Sequence, residues 1–579
     1  MKRVLFFLLF ILTAFIIFRY IESSSVQMEP KYRKVLVIGI DGMDPKQGER
    51  TEMPNFRKLE FHTLDTSLPP HSPVAWTTIA TGVNPGRHNI FDFIRWDSRE
   101  KLPKLSLWED DYSSIVKAEP LWRITSKAGI PTTVIRYPVT FPPEKVKGSM
   151  LSGLGVPDVK GFLSGYSFYT DDISVMGKKV IHVQGNPIET YVSGPRKQEG
   201  DNVVDVRVPM KIALNDGKAV VSIDGKTYDV KEGGWSDWIR VKFKTGFLSE
   251  VYGICKVYLM SSEPFKMYLT TVQIDPENPM FDISYTKEYS AELAREMGLF
   301  YTLGMPEDTD ALNDNMIDDK IFLEQCDEIE AERDKMFWKE FEKFNKQEKG
   351  LLVVVYDTSD RLQHIYGENV SDYFLKKDRF LGEVLSRIDN NTAVIVLSDH
   401  GFTTFDKAVS VNTWLAENGY IALTREISAE DEGALFEYVD WDHTKAFSVG
   451  FNSVYCDEKI TNELVEKLGK VEGIFKVYRK EDVYSGIYIE EAPNIILGFK
   501  PGYRMSWQNA VGGFTPEVVF ENTKKWRNDH LVDPSYVPGV LYTNFKTNKE
   551  KPHQVDVAPT ILSLLGLKPP EEMDGDDLT

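Results

Sequence analysis

One stretch constrains the fold more than any other: Ala393-Val-Ile-Val-Leu-Ser-Asp-His-Gly401. Its apolar part is short, β-branched and uninterrupted, the pattern of a strand buried on both faces. It ends on Asp399 and His400, two adjacent side chains of the kind that hold metals. In open α/β sheets ligands bind at the carboxyl ends of the strands. A chain built around this stretch is therefore expected to be α/β, with a mostly parallel sheet, helices on both faces and a polar site at one sheet edge.

Three other segments place similar groups in similar settings. Val35-Leu-Val-Ile-Gly-Ile40 reads as a buried strand that stops at Asp41. Leu351-Leu-Val-Val-Val-Tyr356 reads as another, followed by Asp357-Thr-Ser-Asp-Arg-Leu-Gln-His364. The i, i+4 spacing of Asp360 and His364 puts both on one face of a helical turn, an oxygen–imidazole pair suited to a divalent metal. Asp357, nearer the strand, is the alternative to Asp360. His530, in Arg527-Asn-Asp-His530, precedes the strand-like Val537-Pro-Gly-Val-Leu-Tyr542. It is preferred over His553 as a further ligand. Asp41, Asp360 and Asp399 are expected to converge at the sheet edge.

Ser72 opens Ser-Pro-Val-Ala-Trp-Thr-Thr-Ile-Ala-Thr-Gly82, a helix with Pro at its start and Gly at its end. Two roles fit Ser72. It can cap the helix, or its oxygen can act as a nucleophile where helix amides favour a phosphoryl group.

Between the α/β halves, about 34–160 and 350–579, the pattern changes. Residues 165–285 carry a hairpin signal at Asp224-Gly225 and several further strands, an inserted β-rich module. Residues 287–346 read as a helical connecting segment. The acidic stretch from Glu307 to Asp319 lacks the glycine and spacing of a calcium loop and reads as a solvated helix approach. Cys255, Cys326 and Cys456 form no CxxC pattern and read as isolated thiols. The net charge of −20 disfavours long polyanions as substrates. The N-terminus, Lys2-Arg3 followed by an apolar run to Phe18, fits a signal peptide or a membrane anchor over residues 1–25. Either places the bulk of the chain outside the cytoplasm.

With these segments assembled, the chain resembles the type I phosphodiesterase/nucleotide pyrophosphatase group of the alkaline phosphatase superfamily. It is particularly similar to the phosphohydrolase/phosphomutase-like members. The resemblance rests on Asp41, Ser72 before Thr81-Gly82, Asp360 with His364, Asp399-His400-Gly401 and His530, in that order. Asn84-Pro-Gly-Arg-His88 and Pro501-Gly-Tyr-Arg-Met-Ser-Trp507 add to it.

The resemblance implies an alkaline-phosphatase-like catalytic domain that hydrolyses a phosphate ester through a phosphoserine. It also implies two divalent ions, usually zinc. Asp360, His364 and His530 would hold one; Asp41, Asp399, His400 and the Ser72 oxygen would hold the other. Many nucleotide pyrophosphatases carry Asn three residues after the nucleophile, where this chain has Ala75. Nucleotide specificity is therefore not implied. Arg361, Arg504 and His71 are the remaining candidates to bind phosphate.

Rival readings are a sulfatase, an envelope phosphotransferase and an inactive binding protein. The sulfatase pattern has Arg where this chain has Trp76. The transferases typically use Thr and several membrane spans. An inactive protein would not be expected to retain every site residue.

Overall fold

Five strands, most of them rich in Val, Ile and Leu, pair in parallel at the centre of the protein, as seen in a computed structural model that describes residues 29–579 except 164, 201, 247–248 and 428–431. The N-terminal apolar run lies outside the described residues. Among the described residues no helix is long and apolar enough to cross a membrane.

The central sheet has eight strands: β1 (Lys34–Ile40), β2 (Glu60–Leu64), β3 (Thr132–Tyr137), β4 (Gly148–Ser152), β5 (Ser284–Tyr285), β6 (Gly350–Tyr356), β7 (Thr392–Leu397) and β8 (Gly539–Thr543). Their spatial order is β5-β4-β3-β6-β1-β7-β8-β2. Strands β4, β3, β6, β1 and β7 are parallel to their neighbours within that run. The contacts β5–β4, β7–β8 and β8–β2 are antiparallel. In register, Gly39 of β1 lies opposite Val355 of β6 and Leu397 of β7. The three strands therefore end nearly level, and the residues just beyond them emerge at one edge.

Alternation along the strands sends successive side chains to opposite faces. Leu36, Ile38, Leu352, Val354, Val394 and Val396 pack on one side, with Phe337 and Phe341 of α2 (Asp319–Asn345) and Phe374 and Leu381 of α4 (Ser371–Arg387). Val35, Val37, Val353, Val355 and Ile395 pack on the other, against Trp76 and Ile79 of α1 (Ser72–Thr81) and Ile561 and Leu562 of α5 (Val557–Leu564). Each fully buried side chain of this kind contributes about 1.5–3 kcal/mol. Helix α3 (Thr358–Tyr366) follows β6 directly and carries the site described below.

Residues 167–274 form strands in three further sheets with a core of their own, including Val192, Ile212, Val221 and Phe243. The hairpin turns at Asp224 and Gly225, both at positive φ (50° and 74°), as a two-residue turn between twisted strands requires. Ser284–Tyr285, read from the sequence as the end of this module, pairs instead with β4 of the central sheet.

The acidic stretch after residue 306 is also not as expected. Glu307 and Asp308 are buried rather than solvated. Thr358 donates to Glu307 Oε1 (2.7 Å), Arg333 lies 3.4 Å from the same oxygen, and the Tyr268 hydroxyl donates to Asp308 Oδ2 (2.6 Å). These partners compensate the loss of solvent. All three cysteines are free.

Candidate active site

Asp41 leaves β1 into a turn whose next residue, Gly42, has φ +70°. The Gly42 N–H donates to Asp399 Oδ1 (3.1 Å). A Cβ at Gly42 would collide with the Phe402 ring, so both the backbone conformation and the close approach require glycine. The Trp76 indole donates to Asp41 Oδ2 (2.9 Å). The residue standing in place of the sulfatase arginine thus holds a site carboxylate instead.

Helix α1 begins one residue earlier than a Ser72 cap would place it. His71 is the N-cap, with extended backbone, and Ser72 is the first helical residue. Ser72 Oγ therefore caps no backbone amide. It lies 3.2 Å from His400 Nε2 and 3.5 Å from Asp41 Oδ1. His400 Nε2 is also 3.2 Å from Asp399 Oδ2 and 3.7 Å from Asp41 Oδ1.

Beside this group, Asp360 Oδ1 lies 3.3 Å from His364 Nε2 and 3.8 Å from His530 Nε2. Its other oxygen pairs closely with Arg361. The His400 and His530 rings stack with centroids 3.6 Å apart, which joins the two groups. Three sets of ligand atoms lie mutually within 4.8 Å: Asp41, Asp399 and His400; Asp360, His400 and His530; and His364, Asp529 and His530.

The three histidines share one orientation. Nδ1 faces a backbone carbonyl in each: Asn528 for His364 (2.7 Å), Pro70 for His530 (2.6 Å) and Gly401 for His400 (3.2 Å). A carbonyl oxygen only accepts, so Nδ1 carries the proton and Nε2 turns inward. Burial, followed by the neighbouring His530, pushes His400 well below the usual imidazole range. Burial brings His530 down to about 4. Both rings are therefore neutral at pH 7, with Nε2 lone pairs directed at carboxylates.

The carboxylates are not alike. Burial, then Asp399 and Asp360, raises Asp41 well above its ordinary value. Burial lifts Asp399 to about 7. Burial also opposes ionisation of Asp360, but His364 and Arg361 outweigh it and hold that carboxyl below the ordinary range. Asp360 Oδ1 and Asp399 Oδ2 are buried without a hydrogen-bond partner. Across the 3.2 Å between Asp399 Oδ2 and His400 Nε2, facing lone pairs are favourable only with a proton or a cation between them. The donor set, carboxylate oxygen and imidazole nitrogen, suits divalent zinc.

The remaining sequence candidates fall in different places. Asp357 pairs with Arg333 rather than with the histidines. His553 caps a short helix at Gln554–Asp556, accepting from the Val555 N–H. Arg504 is 0% exposed. It pairs with Asp529, donates from Nε to the Met505 carbonyl (3.0 Å) and stacks on Trp507. His71 lines the cleft, but its Nε2 meets Asn452 Oδ1 (2.6 Å) and its Nδ1 faces Asp92 (3.3 Å). Arg361 lines the cleft as well.

Asp529 is a site residue that the sequence reading missed. Its Oδ2 takes the Trp526 indole (2.9 Å) and Arg504, and its Oδ1 takes the His530 N–H (2.8 Å). Burial opposes its ionisation, but Arg504 and the two histidines hold it below the usual carboxylate range. The available signal was its position: Asp529-His530 repeats the order of Asp399-His400.

Above Ser72 lies a cleft of about 310 Å³, with walls that include Phe93, Phe451, Trp507 and Trp526. Residues 305–310 form part of the wall, and among the described residues the module strands reach it at second hand, through Tyr268 and Asp308.

The sequence profile of the family described as type I phosphodiesterase / nucleotide pyrophosphatase matches residues 35–190 and 272–523, more than half of the chain. The gap falls on the β module, and His530 lies just past the matched region. No curated protein matches the sequence. Solved structures to which the chain is similar include murine ectonucleotide pyrophosphatase / phosphodiesterase 5, at 12% identity over 93% of this chain and 96% of that chain, TM-score 0.45. Phosphonoacetate hydrolase from Sinorhizobium meliloti 1021 matches at 12% identity over 94% and 100%, TM-score 0.46. The alkaline phosphatase PafA matches at 12% over 95% and 98%, TM-score 0.44. On the extent of the profile match, the chain belongs to the type I phosphodiesterase / nucleotide pyrophosphatase family, a family of phosphoric ester hydrolases.

Proposed function

We propose that the protein hydrolyses a small phosphate ester by transferring its phosphoryl group to Ser72. Two divalent cations, zinc by donor type, would be held by Asp41, Asp399 and His400 with the Ser72 oxygen, and by Asp360, His364 and His530. The observation that carries this reading is the direction of Ser72 Oγ, which faces His400 and Asp41 rather than a backbone amide. When bound, the cations would supply Lewis-acid stabilisation of the anionic oxygens and lower the pKa of a neighbouring hydroxyl.

The chain's own groups support the rest. Ser72 Oγ gives up its proton and bonds to phosphorus, while the ester oxygen departs with the electron pair and gains a proton. Water then adds its hydroxyl to phosphorus and returns a proton to Ser72, releasing phosphate or a phosphomonoester. The start of α1, a helix of ten residues, favours negative charge beside Ser72. The modest cleft and the net charge of −20 favour a small ester over a nucleic-acid polymer. The N-terminal sequence supports work outside the cytoplasm, anchored or released.

A panel of p-nitrophenyl phosphomonoesters, phosphodiesters and sulfate esters, run on zinc-loaded protein, tests the reading. Turnover of a phosphate ester with little or none of the sulfate is expected. Preferential sulfate turnover would overturn it.

A further inference from the structure

We infer that Arg361 is the side chain that donates to the non-bridging oxygens of the substrate phosphoryl group, taking over the task left open at Ala75. This rests on the phosphoryl-transfer reading of the same cleft. Ala75 is buried in the first turn of α1 and offers no side-chain hydrogen bond next to Ser72. The protein therefore needs another donor.

Among the described residues lining the cleft, Arg361 is the only guanidinium or ammonium group. The two competitors are placed differently: Arg504 is fully buried, does not line the cleft and pairs with Asp529 and the Met505 carbonyl, and the His71 ring meets Asn452 through Nε2. Arg361 is only partly committed. One terminal nitrogen pairs with Asp360 Oδ2, and among the described residues neither of its other nitrogens has a hydrogen-bond partner. Nε is in addition shielded from solvent.

The tether to Asp360 roots the guanidinium beside one candidate cation group, and Arg361 lines the same cleft as Ser72. A planar fork with free N–H groups, fixed at one corner, matches the geometry of phosphoryl oxygens.

A consequence for specificity follows from charge. A phosphomonoester dianion presents one more anionic oxygen than a phosphodiester. A cationic donor in the cleft that Ser72 lines favours the monoester more than a neutral amide would, so loss of Arg361 should weaken monoester turnover more than diester turnover.

The test uses full-length zinc-loaded protein with Arg361→Gln and Arg361→Lys, and reads inorganic phosphate binding by calorimetry, metal content and kcat/KM. We expect Arg361→Gln to weaken phosphate binding by about ten- to a hundredfold, the effect of losing a charged hydrogen bond, at unchanged metal content. Arg361→Lys should be intermediate. The kcat/KM for p-nitrophenyl phosphate should fall further than that for methyl p-nitrophenyl phosphate. Unchanged phosphate affinity in Arg361→Gln would overturn the inference. So would a loss that tracks lost metal, since Arg361 would then only position Asp360. If the wild-type protein turns over neither ester, the hydrolase reading fails, while phosphate calorimetry still decides the role of Arg361.

Discussion

In the inserted module, buried residues alternate with exposed or half-buried ones along Lys218–Ile223, and the turn uses Asp224 and Gly225 where positive φ is needed. At the floor of the cleft, Asp41, Asp360, Asp399, His400 and His530 are all buried. Two of their carboxylate oxygens lack partners, and two of the carboxyls are pushed toward holding protons. In the module, pattern, turn chemistry and packing agree at every level, which is how a sequence specifies a stable element. The floor retains groups that burial penalises, arranged so that a bound cation would relieve the penalty. The contrast extends into the floor itself: Asp360 has the Arg361 cation beside it, whereas burial outweighs the partners of Asp41 and Asp399.

If this contrast is real, the two regions must respond differently to perturbation. The largest effect should come from chelation. Removing divalent cations should lower phosphoesterase activity by about a hundredfold or more, given several kcal/mol of lost charge stabilisation, and zinc should restore it. Full activity in protein shown by elemental analysis to be metal-free would break the comparison.

Next is Arg504→Lys, which disturbs the Asp529 carboxylate beside His364 and His530. Lost outer support of this kind lowers metal affinity by about ten- to a hundredfold, readable by competition with a chelating dye. Unchanged affinity would confine Arg504 to packing.

The metal-free protein should show the next effect in its pH dependence. Asp399 is raised to about 7 in the folded protein, so between the ordinary carboxylate range and pH 7 the folded state holds a proton that the unfolded state has released. Its stabilising contribution is fully present below the unfolded pKa and is lost as pH rises through 7, at up to about 1.4 kcal/mol per pH unit. Melting temperature of the chelated protein should therefore fall from pH 5 to pH 7.5, and zinc should flatten the slope. A rising melting temperature over that interval would contradict the assignment.

The smallest effect belongs to the module. Gly225 sits at φ +74° in open space, so Gly225→Val adds only backbone strain, about 1–2 kcal/mol. The melting temperature should drop while kcat/KM stays at the wild-type value. A matching loss of activity would tie the module to the chemistry.

Much of the central sheet and its site was legible because both rest on local signals. Uninterrupted β-branched runs mark strands buried on both faces, and each ends on its polar residue. The hairpin at Asp224-Gly225 was legible for the same reason. What escaped depends on contacts between distant segments. Glu307 and Asp308 read as solvated because their partners, Arg333, Thr358 and Tyr268, lie far away in sequence. Ser72 read equally well as a cap because a one-residue shift in helix start is invisible in Ser-Pro. Arg504 looked like a phosphate ligand until Asp529 was placed against it.

The central claim is that Ser72 attacks phosphorus. The direct measurement is turnover of an activated p-nitrophenyl phosphate ester by zinc-loaded wild type and Ser72→Gly, with metal content and melting temperature checked in both. Ser72 Oγ caps no amide and Gly is tolerated near helix starts, so stability should change by only a few tenths of a kcal/mol. The account predicts a folded, metal-loaded variant whose turnover falls to near background, because the covalent route has lost its oxygen. Turnover near the wild-type rate in that same folded, metal-loaded Ser72→Gly protein would contradict it.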